Sequence, residues 1–325
     1  MNLHQDRDAF EALLSDISRR TGIRSDIVEK DYYVTLLLWE LSEKQNALPA
    51  YFKGGTALYK SIDRMKRFSE DIDLTVAIHD CSKSQGKKRL EISANGYLTL
   101  PRTSDKTRES NQRGSITSVY EYIPVTDFDA TDALQRFSYV KVEATSFTIS
   151  EPVEEIEISP LLYSEAIEEQ RQILKITYGT EPFFIQAIKQ ERIFADKILA
   201  AEYYYQRHML FDTAKHLYDL AIMMELVRIR SLLSSQVELK EMIAYKRKEE
   251  RERIGSDLSK KPFSEFILFN AIGVDSAITV AFSKMQEIYV FSQRDIISPA
   301  ELSKRMTDLN RILLQLDEGL EDFEN

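Results

Sequence analysis

Residues 71–78 read Asp-Ile-Asp-Leu-Thr-Val-Ala-Ile, and this short stretch decides what kind of fold the chain adopts. Its apolar, β-branched residues predict a strand. Along a strand, residues two apart point to the same side, so the carboxylates of Asp71 and Asp73 project together. Two like charges this close are unfavourable unless a cation holds them, and hard oxygen ligands suit Mg²⁺ or Mn²⁺. The stretch therefore predicts a metal-binding strand, with a pair of surface acids as the alternative.

A second motif lies upstream, where Gly54-Gly55-Thr56 precedes an apparent helix. Glycines allow a tight turn, and backbone amides at a helix N-terminus favour an anion such as a triphosphate. The sequence contains no Walker GxxxxGK[ST] pattern, no Rossmann GxGxxG and no kinase catalytic loop. The glycine pair therefore predicts a phosphate-binding turn of another class, and an ordinary turn is the alternative.

A third carboxylate would complete a metal site, and Glu143 is the best candidate. Residues 139–149 (YVKVEATSFTI) predict a strand whose alternation places Glu143 on the same face as Lys141. If this strand lies beside residues 71–78, Glu143 joins the two aspartates at one site. Otherwise it lies on the exposed polar face of an edge strand.

Hydrophobic periodicity predicts an α+β protein. An opening helix ends at Gly22, and a second helix runs to about Glu43. Residues 83–118 are polar and are expected to form loops with weak strands. After about residue 180 the pattern becomes mostly helical. We therefore expect an α/β domain over residues 1–175 and a helical domain over residues 176–325.

Composition limits the classes of protein that the chain can represent. Hydrophobic residues make up 43% and charged residues 30%, which is an ordinary globular balance. No apolar run approaches the roughly 20 residues of a membrane span, and the N-terminus lacks the apolar core of a signal peptide. The single cysteine, Cys81, rules out an internal disulfide and a Cys-based zinc cluster. These features predict a cytoplasmic protein without a membrane partner.

The net charge of −10, with a pI near 5.2, argues against a general nucleic-acid binder. Local basic stretches at residues 83–89 and 102–113 still leave binding of RNA open, although a solvated loop or helix face is the simpler explanation of each.

The motifs together resemble those of one known family. Residues 52–58 (FKGGTAL) and 67–74 (RFSEDIDL) are similar to the specific motif block of the AbiEii/AbiGii nucleotidyltransferase toxins. This family belongs to the DNA polymerase β-like nucleotidyltransferase superfamily. The likeness continues, with less specific motifs, in residues 140–143 (VKVE), 195–200 (ADKILA) and 217–220 (LYDL).

The resemblance covers about residues 50–225. It implies an N-terminal nucleotidyltransferase fold, a mixed sheet with flanking helices, followed by a helical domain that contributes to the cleft. One departure concerns the Arg-Asp pair that the family often has ahead of Tyr-Asp-Leu, because here the residues are Lys215-His216-Leu217. A substrate contact from that arginine is therefore not expected.

The resemblance also implies site residues of three kinds. Metal ligands would be Asp71, Asp73 and Glu143, the last of which could instead activate the attacking hydroxyl. The phosphate loop would consist of Gly54, Gly55, Thr56 and Ser69, with Lys53 close by. Lys197 would neutralise triphosphate charge and Asp219 would orient the triphosphate or a substrate group. The alternatives are a solvated lysine at 197 and an acid at 219 that merely forms the polar side of its helix.

The reaction that the resemblance implies is transfer of a nucleoside monophosphate from an NTP to an acceptor hydroxyl, with Mg²⁺ or Mn²⁺ as cofactor. The protein would be the toxin of a toxin–antitoxin or phage-defence system, with RNA, best motivated as tRNA, as acceptor. An antitoxin encoded nearby is the expected protein partner. Two alternatives stay open, a metal-dependent nuclease and a non-catalytic nucleotide-binding regulator. A nuclease has no use for a triphosphate-binding turn, and the retained carboxylates and Lys197 argue against the regulator.

Overall fold

The computed structural model describes residues 1–62, 67–128, 137–254, 257–291 and 293–317, without the side chains of residues 253 and 254. The chain divides into two compact units. The first consists of Met1–Asp63 and Phe68–Ile188, and the second of Arg64–Arg67 and Lys189–Asn325. Arg67 therefore belongs to the second unit and Phe68 to the first, and the chain leaves the first unit after Ile188.

The first unit is built on one seven-stranded mixed sheet, in the order β3-β4-β5-β2-β1-β7-β6. Its strands are β1 (Ala50–Lys53), β2 (Ile72–Val76), β3 (Ser110–Gln112), β4 (Ser115–Glu121), β5 (Tyr139–Thr145), β6 (Val153–Ile158) and β7 (Phe183–Ile188). Strand β2 is parallel to β5, and β1 is parallel to β7, whereas the other neighbours are antiparallel. The predicted mixed sheet is confirmed, and it extends past residue 175 because β7 pairs with β1.

The helices of the first unit are α1 (Arg7–Thr21), α2 (Ser25–Ser42), α3 (Gly54–Ser61), α4 (Lys83–Asn95), α5 (Leu161–Ser164) and α6 (Glu168–Tyr178). The two opening helices agree with the sequence prediction. Helix α1 begins after Asp6, whose side chain accepts a hydrogen bond from the backbone of Ala9. It ends at Gly22, which adopts the left-handed conformation with φ of 75°.

The expectation of loops and weak strands over residues 83–118 is wrong for its first part, which forms helix α4. A capping box begins this helix: the backbone amide of Gln85 donates to Ser82 Oγ, and that of Ser82 donates to Gln85 Oε1. Leu90 and Ala94 are buried where the helix packs on the sheet. The Ser-x-x-Gln spacing was therefore the missed signal, hidden by a mostly polar sequence.

Helix α2 is buried along most of its length and carries charged side chains that are paired inside the unit. Lys30 is fully buried, with Nζ 3.9 Å from Glu70 Oε2. Asp31, also fully buried, has Oδ1 2.5 Å from Lys60 Nζ. Lys60 lies on α3, and Glu70 directly precedes Asp71. The two ion pairs therefore hold α3 and the segment before β2 against one helix.

The second unit consists mainly of helices, as predicted. They are α7 (Gln190–Gln206), α8 (Leu210–Met223), α9 (Val227–Ser234), α10 (Gln236–Glu249), α11 (Leu268–Ala271), α12 (Ser276–Tyr289) and α13 (Pro299–Asp317). Helix α8 packs against α7 and α12. A buried ion pair joins α7 to α10, with Arg192 Nη2 2.9 Å from Glu249 Oε2. In the described part of the chain, no helix is long and apolar enough to cross a membrane.

We expect Asp31→Asn to destabilise the protein by about 3–5 kcal/mol, because it leaves the buried ammonium of Lys60 without its charge partner. Urea unfolding measures the loss. Adding Lys60→Met to this variant should restore part of the stability, since the uncompensated charge is then gone. Equal stability of the single and double variants would contradict this account of the α2–α3 pairing.

Candidate active site

The register of three strands brings charged residues together on one face of the sheet. Asp73 and Glu143 are Cα partners in the parallel pair β2–β5, and Lys53 is the partner of Asp73 across β1. Partner residues on neighbouring strands project to the same face. Asp71 lies two residues before Asp73 and so belongs to the same side. The expected adjacency of the two acidic strands is present.

The ammonium of Lys141 lies between two of these carboxylates. Its Nζ is 3.8 Å from Asp71 Oδ2 and 3.7 Å from Glu143 Oε2. All three side chains are partly exposed. Strand alternation placed Lys141 on this face but assigned it no role, because alternation alone does not show which side chain lies between which others.

The Asp73 carboxyl is electrostatically strained. Burial raises the pKa of Asp73 to about 6, and the opposing effect of Lys53 does not offset it. The neighbouring charges of Glu143 and Asp71 raise the pKa of Asp73 further, whereas Lys141 lowers it. The two lysines therefore offset the effect of burial on the pKa of Asp73 only in part.

The glycine turn touches this cluster directly. Gly54 begins α3 with φ of +79°, and a Cβ built on it would lie 2.3 Å from Asp73 Oδ2. Only glycine therefore fits there. The buried hydroxyl of Thr56 donates to the backbone carbonyl of Asp71, and it lies 2.9 Å from Ser69 Oγ. Gly55 follows Gly54 in the first turn of α3, so all four predicted phosphate-loop residues adjoin the acidic strand.

The donor chemistry of this cluster fits a hard divalent cation. In the described residues, no group of three or more His, Cys, Asp or Glu side chains is arranged as a ready-made metal site. Magnesium sites seldom need such a group, because Mg²⁺ is usually bound by one or two carboxylates together with substrate phosphates and water. Asp71 and Asp73 beside an anion-binding turn provide a donor set of that kind.

A second charged cluster lies in the helical unit. Asp219 on α8 is fully buried and accepts hydrogen bonds from Arg67 Nε and Nη2, both at 2.9 Å. Lys197 Nζ on α7 lies 2.8 Å from Asp219 Oδ2. Burial would raise the pKa of Asp219, but the charges of Arg67 and Lys197 outweigh it and hold the pKa at about 2. The alternative of a solvated Lys197 is therefore wrong, and Asp219 lies in a buried ion-pair cluster and does more than form the polar side of its helix.

His216, one turn before Asp219, was not singled out as a site residue. Its ring stacks on Tyr204, with centroids 5.2 Å apart. Burial, followed by the charge of Lys197, lowers the pKa of His216 well below 6.5, so the ring is neutral. Its Nδ1 is buried and has no hydrogen-bond partner among the residues that the structure describes. Tyr204 and Lys197 lie on α7 and His216 on α8, so the surroundings of this ring could not be read from local sequence.

Comparisons with known proteins agree with this fold. The fold is similar to that of MenT4, a nucleotidyltransferase toxin from Mycobacterium tuberculosis H37Rv, with a TM-score of 0.52, 13% identity and coverage of 96% of both chains. No curated protein matches the chain in sequence. Residues 36–301 match the family described as nucleotidyl transferase AbiEii toxin, type IV TA system.

The chain thus has the fold of a nucleotidyltransferase. It belongs to the AbiEii family of nucleotidyltransferase toxins from type IV toxin–antitoxin systems. This membership favours an enzyme that transfers nucleotides over the nuclease and the non-catalytic regulator.

The ionisation of Asp73 should lower the stability of the folded protein, and this effect provides a test of the site. Its folded pKa of about 6 exceeds the ordinary 3.8, so ionisation opposes folding. The penalty is absent below about pH 4, grows as the pH rises, and is complete above about pH 6. We expect Asp73→Asn to be more stable than the wild type by about 1–3 kcal/mol at pH 7.5, and equally stable near pH 4.

Thermal unfolding in EDTA measures this difference at each pH. Glu157→Gln, which neutralises an exposed carboxylate on β6 of the same sheet, is the matched control and should show no such pH-dependent gain. A wild type that equals or exceeds Asp73→Asn in stability at pH 7.5 would show that Asp73 is not strained.

Proposed function

We propose that this protein transfers a nucleoside monophosphate from an NTP to a hydroxyl of RNA, with tRNA the best-motivated acceptor, in a reaction that requires Mg²⁺ or Mn²⁺. The observation that carries the proposal is the convergence of Asp71, Asp73 and Glu143 beside the Gly54 turn. The activity is that of a toxin, it serves in phage defence, and an antitoxin encoded nearby restrains it.

The charge balance of the sheet face supports the requirement for metal. Three carboxylates face two lysines, so the cluster keeps a negative charge. A triphosphate is itself strongly anionic and is repelled from such a face unless a cation intervenes. When bound, a divalent metal supplies charge neutralisation at the attacking and leaving oxygens.

The residues of the chain take complementary roles. Asp71 and Asp73 hold the metal, and Glu143 is a further ligand or accepts the proton of the acceptor hydroxyl. The acceptor oxygen bonds to the α-phosphorus as the bond from that phosphorus to the bridging oxygen breaks, and pyrophosphate leaves. Positioning and charge stabilisation supply most of the acceleration in such transfers.

The phosphate loop positions the triphosphate. The backbone amides of Gly54 and Gly55, at the start of α3, favour an anion. Thr56 and Ser69 join the glycine turn to the acidic strand through their hydroxyl contact of 2.9 Å. Lys53, across from Asp73, adds positive charge at the edge of the turn.

Asp71→Asn and Asp73→Asn should each abolish nucleotide transfer while the protein stays folded. The reason is that each removes a carboxylate from the metal site, and each lowers the negative charge of a cluster in which three carboxylates face two lysines. Transfer is measured with α-labelled NTPs and total RNA, and omission of divalent metal should also abolish it. Glu157→Gln should transfer normally, and appreciable turnover by either aspartate variant would sink the assignment.

Lys197 is proposed to neutralise triphosphate charge, and the affinity of Lys197 variants of the protein for NTP tests this role. We expect Lys197→Ala to weaken NTP binding about ten- to a hundredfold, the effect of losing a charge-assisted contact worth roughly 1.5–3 kcal/mol. Asp219 keeps Arg67 as a partner, so the variant should fold. Lys197→Gln should recover little affinity, because it restores donors but not charge.

Isothermal titration of NTPs in Mg²⁺ measures these affinities. Lys304→Ala, at an exposed lysine of α13 in the same unit, is the matched control and should bind NTP as the wild type does. Unchanged affinity in both Lys197 variants would restrict Lys197 to its structural ion pair.

A further inference from the structure

The ammonium of Lys141 occupies the space that a cation would use in the carboxylate cluster. It lies at nearly equal distances from Asp71 Oδ2 and Glu143 Oε2, 3.8 and 3.7 Å. Its backbone is fixed, because β5 pairs with β2 on one side and β4 on the other. Its side chain is 35% exposed, so the ammonium has an open side. The backbone of Lys141 is therefore fixed within the sheet, while its ammonium is partly exposed to solvent.

We infer that Lys141 is the resident cation of this cluster in the metal-free protein, and that its ammonium must withdraw when a divalent cation binds to Asp71 or Glu143. The inference rests on the proposed metal dependence of the enzyme. Under this inference Lys141 is a positioning residue that sets the affinity of the cluster for metal. The sequence motifs assign Lys141 no role of its own.

Distances on the sheet face make the two cations competitors. Mg²⁺ binds carboxylate oxygens at about 2.1 Å, so an ion on Glu143 Oε2 would lie within about 6 Å of an ammonium 3.7 Å from the same oxygen. The same limit holds at Asp71 Oδ2. At this separation two cations repel each other strongly wherever water is partly excluded. Lysine can relieve the repulsion because its charge sits at the end of a flexible four-carbon stem.

The resident ammonium also benefits the protein before metal arrives. Carboxylates on neighbouring strands repel each other, and the ammonium of Lys141, within 4 Å of both Asp71 and Glu143, offsets that repulsion. Removing the ammonium should therefore have two opposite effects. The metal-free protein should become less stable, and its affinity for metal should rise. A lysine that only packs against the sheet would lower stability without raising the affinity for metal.

The test is Mn²⁺ binding to the full chain without nucleotide, by isothermal titration, together with thermal unfolding in EDTA and in Mn²⁺. Lys141→Met keeps the length of the side chain without its charge, and it should bind Mn²⁺ at least about tenfold more tightly. It should also melt lower in EDTA and gain more from Mn²⁺ than the wild type. Lys141→Gln should likewise bind Mn²⁺ more tightly and melt lower in EDTA, and it provides the test if the methionine variant folds poorly.

Two further variants serve as controls. Lys141→Arg keeps the charge and should keep the affinity for Mn²⁺ near that of the wild type. Lys87→Met removes a lysine that also lies 3.8 Å from a carboxylate, Glu91, but on the exposed face of α4, and it should change nothing. Equal or weaker Mn²⁺ binding by Lys141→Met and Lys141→Gln would overturn the inference alone. Absence of Mn²⁺ binding by the wild type and by both neutral variants would also overturn the inference, whereas nucleotide transfer by the wild type in EDTA would overturn the proposed metal dependence and the inference with it.

Discussion

Repulsion between carboxylates on adjacent strands is the constraint on which the first unit depends. The parallel register of β2 and β5 sets Asp73 opposite Glu143, and a sheet cannot relax this contact by shifting one residue without turning its apolar face to water. The surrounding structure offsets the repulsion instead. Lys53 and Lys141 supply positive charge, and the glycine turn keeps side-chain bulk away from Asp73.

Two of the acids that the family resemblance singles out, Asp219 and Asp73, meet opposite environments. Asp219 has two cationic partners, and its pKa of about 2 marks a carboxylate whose charge is fully satisfied. Asp73 has a pKa of about 6, so its charged form is poorly satisfied by the protein alone. An added cation stabilises the protein most at a carboxylate like Asp73, because it favours the charged form that the folded protein alone disfavours. The contrast separates a carboxylate whose charge is paired within the protein from one whose charge the protein satisfies only in part.

Local patterns were sufficient for much of this architecture. Alternation located β2 and β5, and helix signals such as Gly22 bounded α1, because both depend on residues close in sequence. Helix α4 was missed because its polar sequence outweighed a correct capping signal. Contacts across long separations were not accessible. Arg67 lay inside a quoted motif, yet its partner Asp219 is 152 residues away, and only the folded chain joins them.

That same arginine lies at a crossing point in the chain. Arg67 belongs to the helical unit, whereas Phe68, the next residue, belongs to the sheet unit. The chain therefore passes between the units more than once. Cutting it at one point would not yield two complete units. A truncated protein ending at residue 188 would retain the guanidinium of Arg67 but lose the buried carboxylate that binds it. Recombination between relatives would face the same limit. Replacing residues 189–325 alone would replace Asp219 while keeping Arg67, its ion-pair partner.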